Sequence, residues 1–358
     1  MVHLLFTRFY IICHAVLLAQ NSYMIQLKRF NTHVFLLLFA LLFAQFSFGI
    51  EKIKGISFVA SSTPIGKKDI APIISINANW VTLMPFGFVS QNGKVKYNSK
   101  WQWWGERTEG LAKTVELCQK SGLKIMIKPQ IWMMHSYTGD LKYAEEEDWV
   151  KFENSYKAFI LDFLDVAIKY KVDLFCIGTE WREFVKARPN FWKKLIYIVR
   201  AKYKGEITYA ANWDDYETVS FWDKLDVVGI DGYFPISYSA KPTLKELVAG
   251  WTIHKNKLAL FAKKIDKQIL LTEIGYRSMT GATMKPWEHS TSGKYSEEIQ
   301  NFAYKALFKV LWNEKWFRGM FIWKWYHNHT KQGGEGNIDF TPQNKPAEKT
   351  IRAFWGKK

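Results

Sequence analysis

Cysteine is rare in this chain of 358 residues, with three in all. Cys13 falls in an N-terminal stretch that reads as removed on export, Cys118 in an amphipathic helical pattern, and Cys176 inside a strand-like run. They offer no disulfide framework, so export would not depend on one. Long apolar runs are missing too: the stretch 34–44 is short for the about 20 residues of a membrane-spanning helix. No linker-like stretch, low-complexity segment or sequence repeat divides the remainder, which excludes an evident multi-domain layout. Acidic residues are outnumbered 33 to 50 by Lys and Arg, a formal charge of +17. That balance suits an acidic polymer, a membrane surface or a nucleic acid. The lysines, however, are scattered over helical patterns without a basic cluster, as on a solvated surface, and no nucleic-acid partner is expected. His327 and His329 lack a carboxylate at useful spacing, so no metal is expected.

The N-terminus has the layout of a signal peptide. From Met24 it passes Lys28 and Arg29, the apolar run 34–44, and small residues at Ser47 and Gly49 before turning polar. Residues 1–23 read as an extension upstream of the natural start. An uncleaved anchor is the alternative. The expectation is an exported, monomeric chain whose residues 1–49 lie outside the fold and whose residues 50–358 form one domain.

Within that domain apolar runs alternate with helical patterns about eight times. The runs begin at Lys54, Trp80, Lys124, Leu174, Glu206, Val227, Ile269 and Met320; the clearest helical patterns cover 107–121, 152–170, 189–203, 243–264 and 297–313. Continuous apolar strands separated by helices make a parallel sheet covered on its outer face. Eight such units in about 300 residues predict a single (β/α)8 TIM barrel.

Two of those runs end on a carboxylate: Glu180 in LFCIGTEW and Glu273 in ILLTEIGY. A buried strand bears that cost only where a site uses the charge. The strand ends of this fold form its active site, and Trp132, Asn212, Tyr233, Trp323 and Trp325 fall there as well. Carboxylates for acid, base and nucleophile, amide and phenol for hydroxyls, and indoles for pyranose faces describe a sugar site. Trp323 and Trp325 share a strand face by the period of two. Trp101, Trp103 and Trp104 sit in the loop after the second strand, where glycan contact and loop packing both remain open. Simpler readings also exist: Glu180 could pair with Arg182, Glu183 could face solvent, and the acidic run 145–148 reads as the start of a helix.

These residues resemble glycoside hydrolase family 113, within the clan of retaining glycosidases marked by glutamates on strands four and seven. The resemblance is carried by GTEW at Gly178, KPQIW at Lys128, WWGER at Trp103, TEIGY on strand seven and WKWY on strand eight. It implies β-mannanase-like hydrolysis without a cofactor, Glu273 acting as nucleophile and Glu180 as acid and base. It also implies that Tyr233 bonds Glu273 and that Asn212, Trp132, Lys128 and Gln130 contact the sugar. Two positions depart from the pattern: Thr179 stands where the clan often has Asn, and Gln130 where relatives often have His. Hydrolysis of another β-glycan, or a catalytically silent glycan-binding barrel, remain the alternatives.

Overall fold

The computed structural model describes residues 51–357 except 91–92, 135 and 289–291, so the expected signal segment lies outside the described residues. The apolar runs fold as β1 (Ile53–Phe58), β2 (Trp80–Leu83), β3 (Lys124–Ile127), β4 (Leu174–Thr179), β5 (Glu206–Asn212), β6 (Val228–Asp231), β7 (Ile269–Ile274) and β8 (Phe317–Trp325). Each pairs in parallel with its neighbour in the chain, and β8 pairs with β1, closing the barrel. Around it lie α1 (Lys67–Ser75), α2 (Thr108–Lys120), α3 (Glu146–Lys169), α4 (Arg182–Ala187), α5 (Pro189–Lys202), α6 (Leu244–Ile265), α7 (Glu297–Leu311) and α8 (Pro346–Trp355). The acidic residues Glu146, Glu147 and Asp148 form the first turn of α3, where the helix dipole favours them. Between β5 and β6 the expected alternation fails, and two short 3-10 turns, Tyr216–Thr218 and Trp222–Lys224, replace the helix. None of the described helices is long and apolar enough to cross a membrane.

The sequence predicts unbroken second and third strands through VTLMPFGFV and IMIKPQIW, but each stops short of its proline, Pro85 or Pro129. Proline has no N–H to give to the ladder. Beyond these residues the chain pairs again as a small sheet, in which Phe86–Val89 runs parallel to Gln130–Trp132 and antiparallel to Val95–Lys96. This extension stands over the C-terminal rim of the barrel and carries Gln130 and Trp132.

Two apolar regions hold the barrel. The larger lies between strands and helices; the smaller fills the lumen with Ile53, Trp80, Met126, Leu174, Cys176, Ala210, Val227, Leu270 and Phe321. One period of two further along, the same inner face turns polar: Thr82 follows Trp80, Lys128 follows Met126, and Thr272 follows Leu270. On β6 the sequence of inward positions is Val227, Gly229, Asp231. Gly229 has no room for a side chain, because a Cβ there would meet the Tyr209 carbonyl oxygen at 2.4 Å and Thr208 Oγ1 at 2.7 Å. Backbone cannot yield as a side chain can, so Gly229→Ala is expected to destabilise the barrel by about 2 kcal/mol. Urea denaturation measures this, and a change below about 0.5 kcal/mol would show that the strands separate more easily than their spacing implies.

Candidate active site

Glu273 sits near the end of β7, where the register against β6 and β8 shifts between Leu271 and the residues that follow. A bulge re-aims side chains. As a result the consecutive Thr272 and Glu273 both reach toward the barrel mouth, although strict alternation would set them on opposite faces. Glu273 Oε1 accepts from Lys128 Nζ at 2.6 Å and from Gln130 Nε2 at 2.5 Å, while Oε2 accepts from the Tyr233 hydroxyl at 2.7 Å. Three donors from three segments therefore fix the direction of one carboxylate.

Lys128 does not contact the sugar space, as the resemblance implied it would. It is fully buried and directs its three ammonium hydrogens to Asp231 Oδ1 (2.8 Å), Asp231 Oδ2 (2.9 Å) and Glu273 Oε1. Burial works against its charge, but Asp231 and Glu273 more than offset that and hold the ammonium above its ordinary range. Asp231, at the end of β6, also accepts from Thr272 Oγ1 at 2.8 Å. Burial and then the charge of Glu273 push its carboxyl up to about 7, against the pull of Lys128 and Thr272. Gln130 is likewise buried and turned toward Glu273.

Glu180 follows the last residue of β4 and takes the left-handed backbone, with φ at 55°. Its N–H bonds the Ala210 carbonyl on β5 at 2.8 Å, which holds it in that costly conformation. Arg182 is not its partner. The guanidinium bonds Asp214 at 2.6 Å and Asp215 at 3.2 Å instead, and Glu183 pairs with Lys142 and Lys186. Burial, then the charges of Asp231 and Glu273, push Glu180 well above the usual carboxyl range against the pull of Lys128. That shift runs toward the protonated form. Beside Glu180 lies Tyr137, whose buried hydroxyl has no hydrogen-bond partner among the described residues. Gly139 packs between them, since a Cβ there would meet Tyr137 Cε1 at 2.3 Å and the Glu180 carbonyl at 3.0 Å.

Asn212 ends β5 in register with Asp231, and its Oδ1 accepts from the Trp213 N–H at 3.0 Å. Trp213 stacks on Trp287 from the loop after β7, with centroids 5.0 Å apart and rings inclined by 22°. Trp132 is 51% exposed, edge-on to Phe88, and Trp101 and Trp103 are exposed as well. Trp323 is half-buried. Trp325 is a correction: it is fully buried in the main core and packs against His329 with centroids 5.4 Å apart, so it offers no face to a sugar. His327 approaches Ser61 and His329 pairs with Glu348, and no group of three or more potential metal ligands occurs among the described residues.

Sequence reasoning missed Asp231, Thr272, Tyr137 and the Trp213 and Trp287 pair. Asp231 carried the same signal as the glutamates, an acid closing the apolar run VVGI. The other residues had no comparable marker. Removing the cation from this cluster should be severe: Lys128→Met leaves two buried carboxylates facing each other and is expected to cost about 3 to 5 kcal/mol. Adding Asp231→Asn should recover part of that loss in urea denaturation, whereas additive losses would show that the three groups do not act as a unit.

Solved structures with this fold include the GH113 β-mannanase AaManA of Alicyclobacillus acidocaldarius in complex with ManMIm. It is 24% identical, the match covering 86% of this chain and 98% of that one, with a TM-score of 0.73. A GH113 β-1,4-mannanase is 21% identical over 86% of this chain and 100% of its own, also with a TM-score of 0.73. A β-glucuronidase of Ruminococcus gnavus is 16% identical with a TM-score of 0.57, and the match covers 82% of this chain but 46% of that one. No curated protein matches in sequence. The profile of Glycoside Hydrolase Family 113 matches residues 46–345, and the chain belongs to that family.

Proposed function

We propose that this glycoside hydrolase cleaves β-1,4-linked mannan or manno-oligosaccharides with retention, using Glu273 as nucleophile and Glu180 as general acid and base. One observation carries the reading: two strand-end carboxyls meet in opposite settings. Glu273 is aimed by three donors, whereas Glu180 has no ion-pair partner among the described residues and is pushed toward its protonated form. The mannan assignment draws support from family membership and from the names of the GH113 structures, β-mannanase and β-1,4-mannanase.

In the first step a Glu273 oxygen bonds to the anomeric carbon as the glycosidic C–O bond breaks, and the Glu180 proton passes to the departing oxygen. In the second, Glu180 takes a proton from water while the water oxygen displaces Glu273 from the same carbon. All groups come from one chain, and two carboxyls suffice for the proton and covalent chemistry without a cofactor. The layout of residues 1–49 supports action outside the cytoplasm.

Product analysis on β-mannan, glucomannan, β-glucan and acidic polysaccharides tests the substrate, and preference for either of the last two would overturn the mannan reading. Glu273→Ala should abolish turnover of every glycoside. Glu180→Ala should still form the glycosyl-enzyme from a 2,4-dinitrophenyl glycoside, which needs no proton, and azide should accelerate that variant alone. Equal loss in both variants without rescue would refute the separate roles.

The aromatic positions make a further contrast. Trp132→Ala should lower kcat/KM on manno-oligosaccharides by about tenfold with little change in Tm, because it removes an exposed stacking surface. Trp325→Ala should instead cost about 3 to 5 kcal/mol of stability by opening a core cavity. Melting curves and kinetics on both variants check the assignment, and the reverse pattern would exchange their roles.

A further inference from the structure

Double displacement employs two carboxyls, yet three meet at the barrel mouth. Asp231 is as buried as Lys128, and its bonds form a chain that leads to Glu273. Thr272 Oγ1 holds Oδ1, Lys128 Nζ binds both Asp231 oxygens, and the remaining ammonium hydrogen reaches Glu273 Oε1. An ion pair this deep is weak evidence for stability, since desolvation opposes its Coulombic gain. What such an arrangement does supply is direction. With two of its three hydrogens committed to Asp231, Lys128 can offer Glu273 only one.

We propose that Asp231 is a positioning residue for the reaction: it anchors Lys128 beside Glu273 and offsets the ammonium charge, so that the carboxylate is aimed without being held too tightly to attack. The inference rests on the reading of Glu273 as nucleophile. Besides Lys128 just past β3 and Glu273 on β7, the ionisable groups that face Asp231 are Cys176 on β4, Glu180 beyond β4, and Tyr233 beyond β6. When Glu273 becomes an ester, the charge that raises the Asp231 carboxyl after burial is gone, which favours Asp231 as the anion paired with Lys128. Asp231 therefore keeps its push on Glu180 while that of Glu273 is lost, against the pull of Lys128 and beside the charge of Asp215.

Without the Asp231 charge, two effects follow. The full Lys128 charge falls on Glu273 and restrains its attack. Glu180 also loses a nearby negative charge that favours its protonated form, so the deprotonation that ends its service as an acid moves to lower pH.

The test is Asp231→Asn in the full chain, assayed on mannohexaose and on a 2,4-dinitrophenyl β-mannobioside across pH, with Tm recorded alongside. On both substrates kcat should fall by about tenfold to a hundredfold with KM changed by less than about twofold. The alkaline limb of the mannohexaose profile should move to lower pH. A merely structural residue would alter Tm without moving that limb. Thr272→Val, which removes one bond to Asp231 and no charge, should give smaller changes of the same sign, and it carries the test if Asp231→Asn does not fold. Unchanged kcat with an unmoved alkaline limb, or a loss confined to KM, overturns the positioning role while leaving the nucleophile assignment intact. An unsubstituted chain inactive on every glycan tested overturns the nucleophile reading and the positioning role together.

Discussion

A buried ammonium ion between two carboxylates is the constraint on which the upper half of this barrel depends. Lys128 could not be placed there alone, because an unpaired charge in that position costs several kcal/mol. Asp231 and Glu273 must stand within hydrogen-bond reach of it, which requires β3, β6 and β7 to present those residues at one level. The β7 bulge supplies Glu273 and Thr272 together; the glycine below Asp231 lets the strands crowd close enough; and the apolar plug beneath keeps water from dividing the cluster. Each is a structural demand that follows from one side chain.

The same cluster separates the two strand-end glutamates electrically. Glu273 is inside the network and shares its cation. Glu180 is outside the hydrogen-bonded set yet close enough to feel its charges, and the nearest arginine in sequence is committed to Asp214 and Asp215. Two carboxyls of one residue type thereby stand in different settings, one aimed by three donors and the other pushed toward its protonated form. The acid and nucleophile roles proposed for them rest on position in a shared field rather than on residue identity.

Much of this architecture was legible in the sequence because it rests on periodicity. Apolar runs with helical spacers announced the barrel, and the cost of a carboxylate at a buried strand end marked Glu180 and Glu273. What remained hidden depends on departures from regularity. Strict alternation from Leu270 puts Thr272 and not Glu273 on the inner face, and no residue in ILLTEIGY signals the bulge that lets both reach the mouth. Pro85 and Pro129 were visible, but the renewed pairing beyond them was not. Lys128 was placed near the mouth but assigned to sugar, since a cation at a strand end does not reveal which acid lies across the lumen. Asp231 is different: its signal was present in VVGID, and the aromatic residue two positions later drew the reading away from it.

The aromatic positions show how far strand parity can be trusted. Gln130 and Trp132 lie on one short strand, two residues apart, so they share a face and stand about 7 Å apart along it. Because Gln130 reaches Glu273, that face is turned toward the proposed nucleophile, and Trp132 continues it outward into solvent. Parity thus connects an exposed indole to the chemistry through a residue whose contact is known. The same rule applied to Trp323 and Trp325 had no such anchor. It asserted a common face but could not say whether that face met the cleft or the core, and the burial of Trp325 beneath the β8 loop shows that sharing a strand does not mean sharing an environment. A sugar platform is therefore better inferred from a strand that also touches the reacting group than from the number of tryptophans it carries.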